Sequence, residues 1–150
     1  MDVWRIARAP HQALDGEGVR INGGRWNSEG VSVVYLASTL ALAALEYLVH
    51  VDIEDVPDDL VALRLYIPDD CTIDEVDVTQ LAADWNTTDS PICIQLGDEW
   101  VRDGRSLLLK VPSALLPEDS NILLNPTHPE AGQVEIRTTR PFAFDPRLLA

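Results

Sequence analysis

The chain has 150 residues, 25 of them acidic and 11 Lys or Arg, for a net charge of −14. That length suits one domain spanning residues 1–150, with room for a sizeable core. No run of about 18 apolar residues occurs, so no membrane span is expected, and Met1-Asp2-Val3-Trp4-Arg5 lacks the apolar stretch of a secretory signal. Cys71 and Cys93 stand alone, without a CxxC or Cys/His cluster. They read as reduced thiols of a cytoplasmic protein, with no metal site. Residues 51–100 hold fourteen acids and one base, Arg64. A face so charged argues against contact with a nucleic-acid backbone, which needs Lys and Arg. It is either a solvated surface or a landing site for a basic partner. Arg5, Arg8, Arg20 and Arg25 gather in the first quarter, near Gly23-Gly24, where an anionic small molecule could be held.

In chain order, Val3–Ala7 reads as a short strand and 11–22 as a polar loop. Gly23-Gly24 permits close approach of the main chain to a ligand, and Arg25 follows with a planar fork of donors suited to phosphate. Ser32–Ala37, β-branched and aromatic, predicts a strand carrying Tyr35 near its end. Ser38 or Thr39 then caps a helix running to about His50, expected to be the longest or best formed in the chain. Leu60–Ile67 alternates, with Val61, Leu63, Leu65 and Ile67 on one face. A short strand within 71–78, a helical turn over 78–85 and a loop over Asn86–Pro91 follow. Ile92–Arg105 predicts a helix stopping at Gly104, although Ile94, Trp100 and Val101 make no clean stripe. Leu107–Val111 and Asn121–Leu124 are apolar strands flanking an irregular turn over Pro112–Pro117. Asn121 and His128 are expected to hold turns. Gln133–Thr139 alternates with Val134 and Ile136 inward, and Phe142–Ala150 is expected to pack on the sheet. Short strands around one strongly apolar helix predict an α+β fold with a mixed or antiparallel β core.

Glu46 is the single acid of the apolar helix, among Leu42, Ala43, Ala44, Leu45, Tyr47, Leu48 and Val49. A carboxylate withdrawn from water is costly unless paired or hydrogen-bonded. Either the helix turns Glu46 to water or to His50 four residues on, or Glu46 points into a cleft and does chemistry.

Trp4-Arg5-Ile6, GGRWN at 23–27, VYLAS at 34–38, LAALE at 42–46 and VPSALLPEDSNILLNPTHP at 111–129, in that order, resemble the RES domain family. The resemblance implies an ADP-ribosyltransferase-like fold and the toxin of a bacterial toxin–antitoxin pair, with an Xre-type DNA-binding antitoxin as partner. It implies an enzyme acting on NAD as substrate, with no further cofactor. Some members degrade NAD with water or phosphate as acceptor, and some transfer ADP-ribose to a protein. By the same resemblance Glu46, Arg25, Tyr35 and Ser113 are the catalytic candidates, and Arg5, Arg25, Tyr35 and Ser38 would bind the dinucleotide. Cleavage of the nicotinamide–ribose bond passes through an oxocarbenium-like state, which Glu46 would stabilise. Arg25 and Arg5 would hold phosphate, and Tyr35 would lay its ring on nicotinamide. Ser113 more plausibly bonds substrate or fixes Glu46 than attacks, because no His–Asp pattern accompanies it. A homodimer is possible; direct nucleic-acid or membrane binding is not expected. A non-catalytic binding module on the same fold is the reading of another class.

Overall fold

The alternating strand at 60–67 belongs to a seven-stranded sheet in the computed structural model, which describes residues 1–87 and 90–150. Thr88 and Asp89, within the expected Asn86–Pro91 loop, lie outside the described residues. The strands are β1 (Asp2–Arg8), β2 (Val34–Ala37), β3 (Leu60–Tyr66), β4 (Ile73–Glu75), β5 (Leu108–Pro112), β6 (Ser120–Leu124) and β7 (Glu135–Pro141). The helices are α1 (Glu17–Asn22), α2 (Leu40–Leu48) and α3 (Pro91–Asp103). The sheet runs β4-β5-β6-β2-β1-β3-β7. It is antiparallel except for the β4/β5 pair, so the fold is α+β with a mixed sheet. Between β1 and β2 a single residue pair, Trp4 and Ala37, is in register, whereas β1 and β3 pair along seven.

Strand alternation sorts the core onto two faces. On one face Val3, Val34, Leu36, Leu63, Leu65, Ile122 and Leu124 pack together. The other carries two neighbouring clusters. Ile6, Ala37 and Leu60 meet Leu42 and Ala43 of α2 and Phe144 of the C-terminal segment. Leu109, Val111 and Leu123 meet Trp26, Trp85 and the α3 side chains Cys93 and Trp100. Asn121 of β6 pairs with Ala37 on one side and Val111 on the other, so it stands on the border between the two clusters.

Thr39 caps α2, its Oγ1 accepting from the Leu42 amide at 3.1 Å. The helix ends at Leu48, short of the expected His50, and α3 with 13 residues is longer than α2 with nine. The buried line of α3 is Cys93, Gly97 and Trp100, at i, i+4 and i+7. It passes through a glycine, which no hydrophobic pattern marks. The 11–22 segment, expected to be loop throughout, contains α1. This helix buries no side chain and is braced by an Arg20–Glu17 ion pair at 2.9 Å, so there was no apolar stripe to read.

The C-terminal strand departs from expectation as well. β7 is exposed throughout, and Ile136, expected inward, is 41% exposed. β7 has β3 as its one strand neighbour and lies at the sheet edge. Arg137 stacks over Tyr66 at 4.3 Å there. Phe144 does pack back as expected, edge-on to Phe142 with centroids 5.0 Å apart. Cys71 and Cys93 are buried free thiols. No helix among the described residues is long and apolar enough to cross a membrane.

Candidate active site

The half-buried Glu46 of α2 takes neither of its simplest options, water alone or His50. Its Oε1 accepts two hydrogen bonds, from Ser113 Oγ at 2.7 Å and from Asn121 Nδ2 at 2.7 Å. Oε2 has no partner among the described residues. Every buried side-chain N or O atom among them is satisfied, so Oε2 is in reach of solvent. The carboxylate is thus pinned by one oxygen and presents the other. Hydrogen bonds of this kind, to an ionised acceptor, are the stronger ones.

Ser113 follows β5 and is fully buried. Its Oγ accepts from the Leu115 and Leu116 amides at 3.2 Å each, in the irregular turn. Its one proton is donated to Glu46, so the hydroxyl orients the carboxylate. Asn121 lies within β6, where a strand is expected, and its side chain reaches the same oxygen rather than holding a turn. The sequence carries no signal for this contact, because Asn121 and Glu46 are 75 residues apart in the chain. His128 does hold a turn, its Nδ1 accepting from the Glu130 amide at 3.1 Å.

The GGRWN stretch forms a tight turn fixed from three sides. Tyr35 Oη accepts from the Trp26 amide at 3.0 Å and donates to Asn27 Oδ1 at 2.6 Å. The buried Asn27 returns its Nδ2 to the Val31 carbonyl at 2.9 Å. A side chain at Gly24 would lie 2.7 Å from Tyr35 Oη and 2.9 Å from Asn27 Oδ1, so only glycine fits. Trp26 anchors the turn in the α3 cluster, tilted against Trp85 at 6.2 Å. Asp98 of α3 grips the next residue, accepting from the Ser28 amide at 2.9 Å and from Ser28 Oγ at 2.6 Å. Burial pushes the Tyr35 phenol above its ordinary value. Its hydroxyl is committed to the turn, so the part of Tyr35 described by contacts is structural support for Arg25.

Arg25 projects from this turn, half-buried. Its Nη1 donates to the carbonyls of Trp85 at 3.1 Å and Thr87 at 2.7 Å. Among the described residues Nε and Nη2 have no partner.

Register relates the two groups. Tyr35 opposes Leu123 and Ala37 opposes Asn121, all on the α2/α3 face. Tyr35 and Ala37 are successive residues of that face, roughly 7 Å apart along the strand. The residue that braces the Arg25 turn and the residue that holds Glu46 therefore stand on one side of the sheet. Ser38, exposed, follows β2 on this border and gives its amide to Ser120 O at 3.3 Å. Arg5 is not brought to them. It pairs with Leu63, so it leaves β1 on the opposite face, and its Nη1 donates to Ala13 O at 3.0 Å. Burial lowers its pKa from the usual arginine value. Among the described residues no group of three or more His, Cys, Asp or Glu gathers as a metal site.

These observations agree with comparisons to known proteins. The RES domain family matches residues 2–145. The "Prs ADP-ribosylating toxin" of Sphingobium sp. (strain YBL2) is 37% identical over 153 residues, covering 97% of this chain and 95% of that protein. A protein named "Toxin Res" from Yersinia enterocolitica is 37% identical over 153 residues, with 99% of both chains covered. Another of that name, from Photorhabdus laumondii, is 37% identical over 129 residues, covering 84% of this chain and 82% of its own. Among solved structures, the M. tuberculosis MbcT–MbcA toxin–antitoxin complex contains a chain of similar fold. The TM-score is 0.79 at 19% identity, covering 99% of this chain and 86% of that one. Motif order, fold and a match over nearly the whole length converge, and the chain belongs to the RES domain family.

Proposed function

We propose that this protein is the toxin of a toxin–antitoxin pair and that it cleaves the nicotinamide–ribose bond of NAD. One observation carries the chemistry: a glutamate pinned by one oxygen, whose other oxygen has no partner among the described residues, on the face of the sheet that also braces the turn bearing Arg25. In the cleavage, the C1′–N bond breaks and its electron pair leaves with nicotinamide. The ring is cationic before departure and neutral after, so no general acid is needed. Positive charge grows on the ribose, and Glu46 Oε2 stabilises it. Ser113 and Asn121 hold Oε1 and so set where Oε2 lies. Arg25 binds the pyrophosphate through Nε and Nη2. Water or phosphate then adds at C1′ and releases a proton.

Transfer of ADP-ribose to a protein is a second reading, favoured by the name of the Sphingobium relative. It uses the same bond cleavage with a side chain as acceptor. The antitoxin would be a separate protein of the Xre type, as the family resemblance implies, silencing the enzyme in the cytoplasm. Incubating the purified chain with NAD tests the proposal by product analysis. Free nicotinamide with ADP-ribose, or with its 1-phosphate when phosphate is supplied, supports the first reading. Label from NAD fixed on a protein band in a lysate supports the second. Unchanged NAD in both refutes the enzyme and leaves a binding module.

A further inference from the structure

We infer that Asn121 is a positioning residue of the NAD-cleaving site, setting which Glu46 oxygen meets the substrate. The inference rests on the function proposed above. Two donors from different strands, Ser113 after β5 and Asn121 in β6, converge on Oε1 at the same distance of 2.7 Å. A carboxylate on one helix has a free rotation about its last bond. One hydrogen bond fixes a point on it; two from separate directions onto one oxygen fix the orientation, and with it the location of Oε2. Asn121 is well placed for this, because its strand is flanked on both sides, with its Cα in register with Ala37 of β2 and with Val111 of β5. Its backbone does not move without disturbing a central strand. Its side chain supplies donors only through Nδ2, the atom facing Glu46. Ser113 has its own amide anchors and cannot replace the second direction. Asn121 does not touch the substrate in this scheme; it acts through Glu46.

The test uses the full chain with NAD. Asn121→Asp keeps the shape but replaces the donor with an acceptor facing a carboxylate, and Asn121→Ala removes it. Both should lower kcat on the order of a hundredfold, the usual cost of misplacing a reacting group by about 1 Å, with KM for NAD unchanged. Thermal melting provides an arm that needs no turnover. Asn121→Asp sets two carboxylates together and should lower Tm. Adding Glu46→Gln lets the new amide donate to Asp, so Tm should recover. A wild-type kcat in Asn121→Asp, a raised KM with kcat intact, or a Tm that fails to recover in the double variant overturns the inference. Wild-type protein that leaves NAD untouched refutes the functional reading instead, and the melting arm then decides the contact on its own.

Discussion

Gly97→Ala measures how tightly helix α3 clamps the arginine turn. A methyl group at this position would overlap the Trp26 carbonyl oxygen outright, and would lie 2.7 Å from its carbon and 3.2 Å from its Cβ. Ordinary contact begins at 3.4 Å, and the neighbours are backbone, so helix and turn must part. By helix propensity alone the change stabilises, since alanine is better than glycine in a helix interior by about 1 kcal/mol. Against this stand the overpacking of a fitted contact, about 1–3 kcal/mol, and the strained or lost Ser28–Asp98 bonds, about 1.5–3 kcal/mol for bonds to a charged group. The net is a loss of roughly 2–4 kcal/mol, or a fall of about 5–15 °C in Tm for a chain of this size. The turn that would move carries Arg25, so NAD turnover should fall further than stability explains at a temperature where the variant is folded. Differential scanning calorimetry with a parallel NAD assay checks both. A raised Tm would mean that propensity outweighs the clash and that α3 does not press on the turn.

Glu46→Gln should keep the fold, since the amide can still accept through its oxygen, and should lower kcat by about 3 kcal/mol of barrier or more; near-normal turnover would make the carboxylate structural. Arg25→Lys should be severely impaired, mostly through a raised KM for NAD, because an ammonium cannot hold two carbonyls and an anion as the fork does. Initial rates against NAD concentration read this directly, and a wild-type KM would set Arg25 outside the site. Tyr35 should add a slope to the pH dependence of stability. Its folded phenol is held protonated above the ordinary value of 10.0, and the unfolded one is not. The folded state therefore binds more protons in that window; the stability is fully present below about pH 10 and is lost as pH rises above it. Tyr47, also raised by burial, contributes in the same direction. Denaturant melts between pH 9 and 11 should show a shallower slope for Tyr35→Phe than for the wild type.

Much of the fold was legible because its signals are local. Alternation marked β3, a threonine ahead of an apolar run marked the start of α2, and Gly104 marked the end of α3. The site was legible in part. Glu46 stands out in the sequence as an acid in an apolar helix; for Ser113 the sequence leaves open a bond to substrate or to Glu46, and the structure has a hydrogen bond to Glu46. What remained hidden depends on pairings between distant segments. Asn121 lies 75 residues from Glu46, and nothing near it in the chain announces the contact. Gly97 is informative only once Trp26 is known to face it. Where the Arg5 side chain goes is likewise set by strand pairing, for Arg5 stands in register with Leu63 and donates to the Ala13 carbonyl. For Tyr35 the resemblance implies a stacking ring, and the structure adds a hydroxyl bonded to the Trp26 amide and to Asn27.

The single residue pair between β1 and β2 has a mechanical consequence. Where strands share a full ladder, shear between them must break hydrogen bonds; where they share one pair, only side-chain packing resists it. The sheet is in effect two plates, β4-β5-β6-β2 and β1-β3-β7, joined along a compliant line. Ser113, Asn121, Tyr35 and the turn bearing Arg25 all ride on the first plate. Helix α2 lies across the line, packing Leu42 and Ala43 against Ile6 of one plate and Ala37 of the other. Glu46 is thus the one member of the site whose mounting spans both. The two hydrogen bonds at its Oε1 act as a tether that keeps it in step with the first plate when the second one shifts.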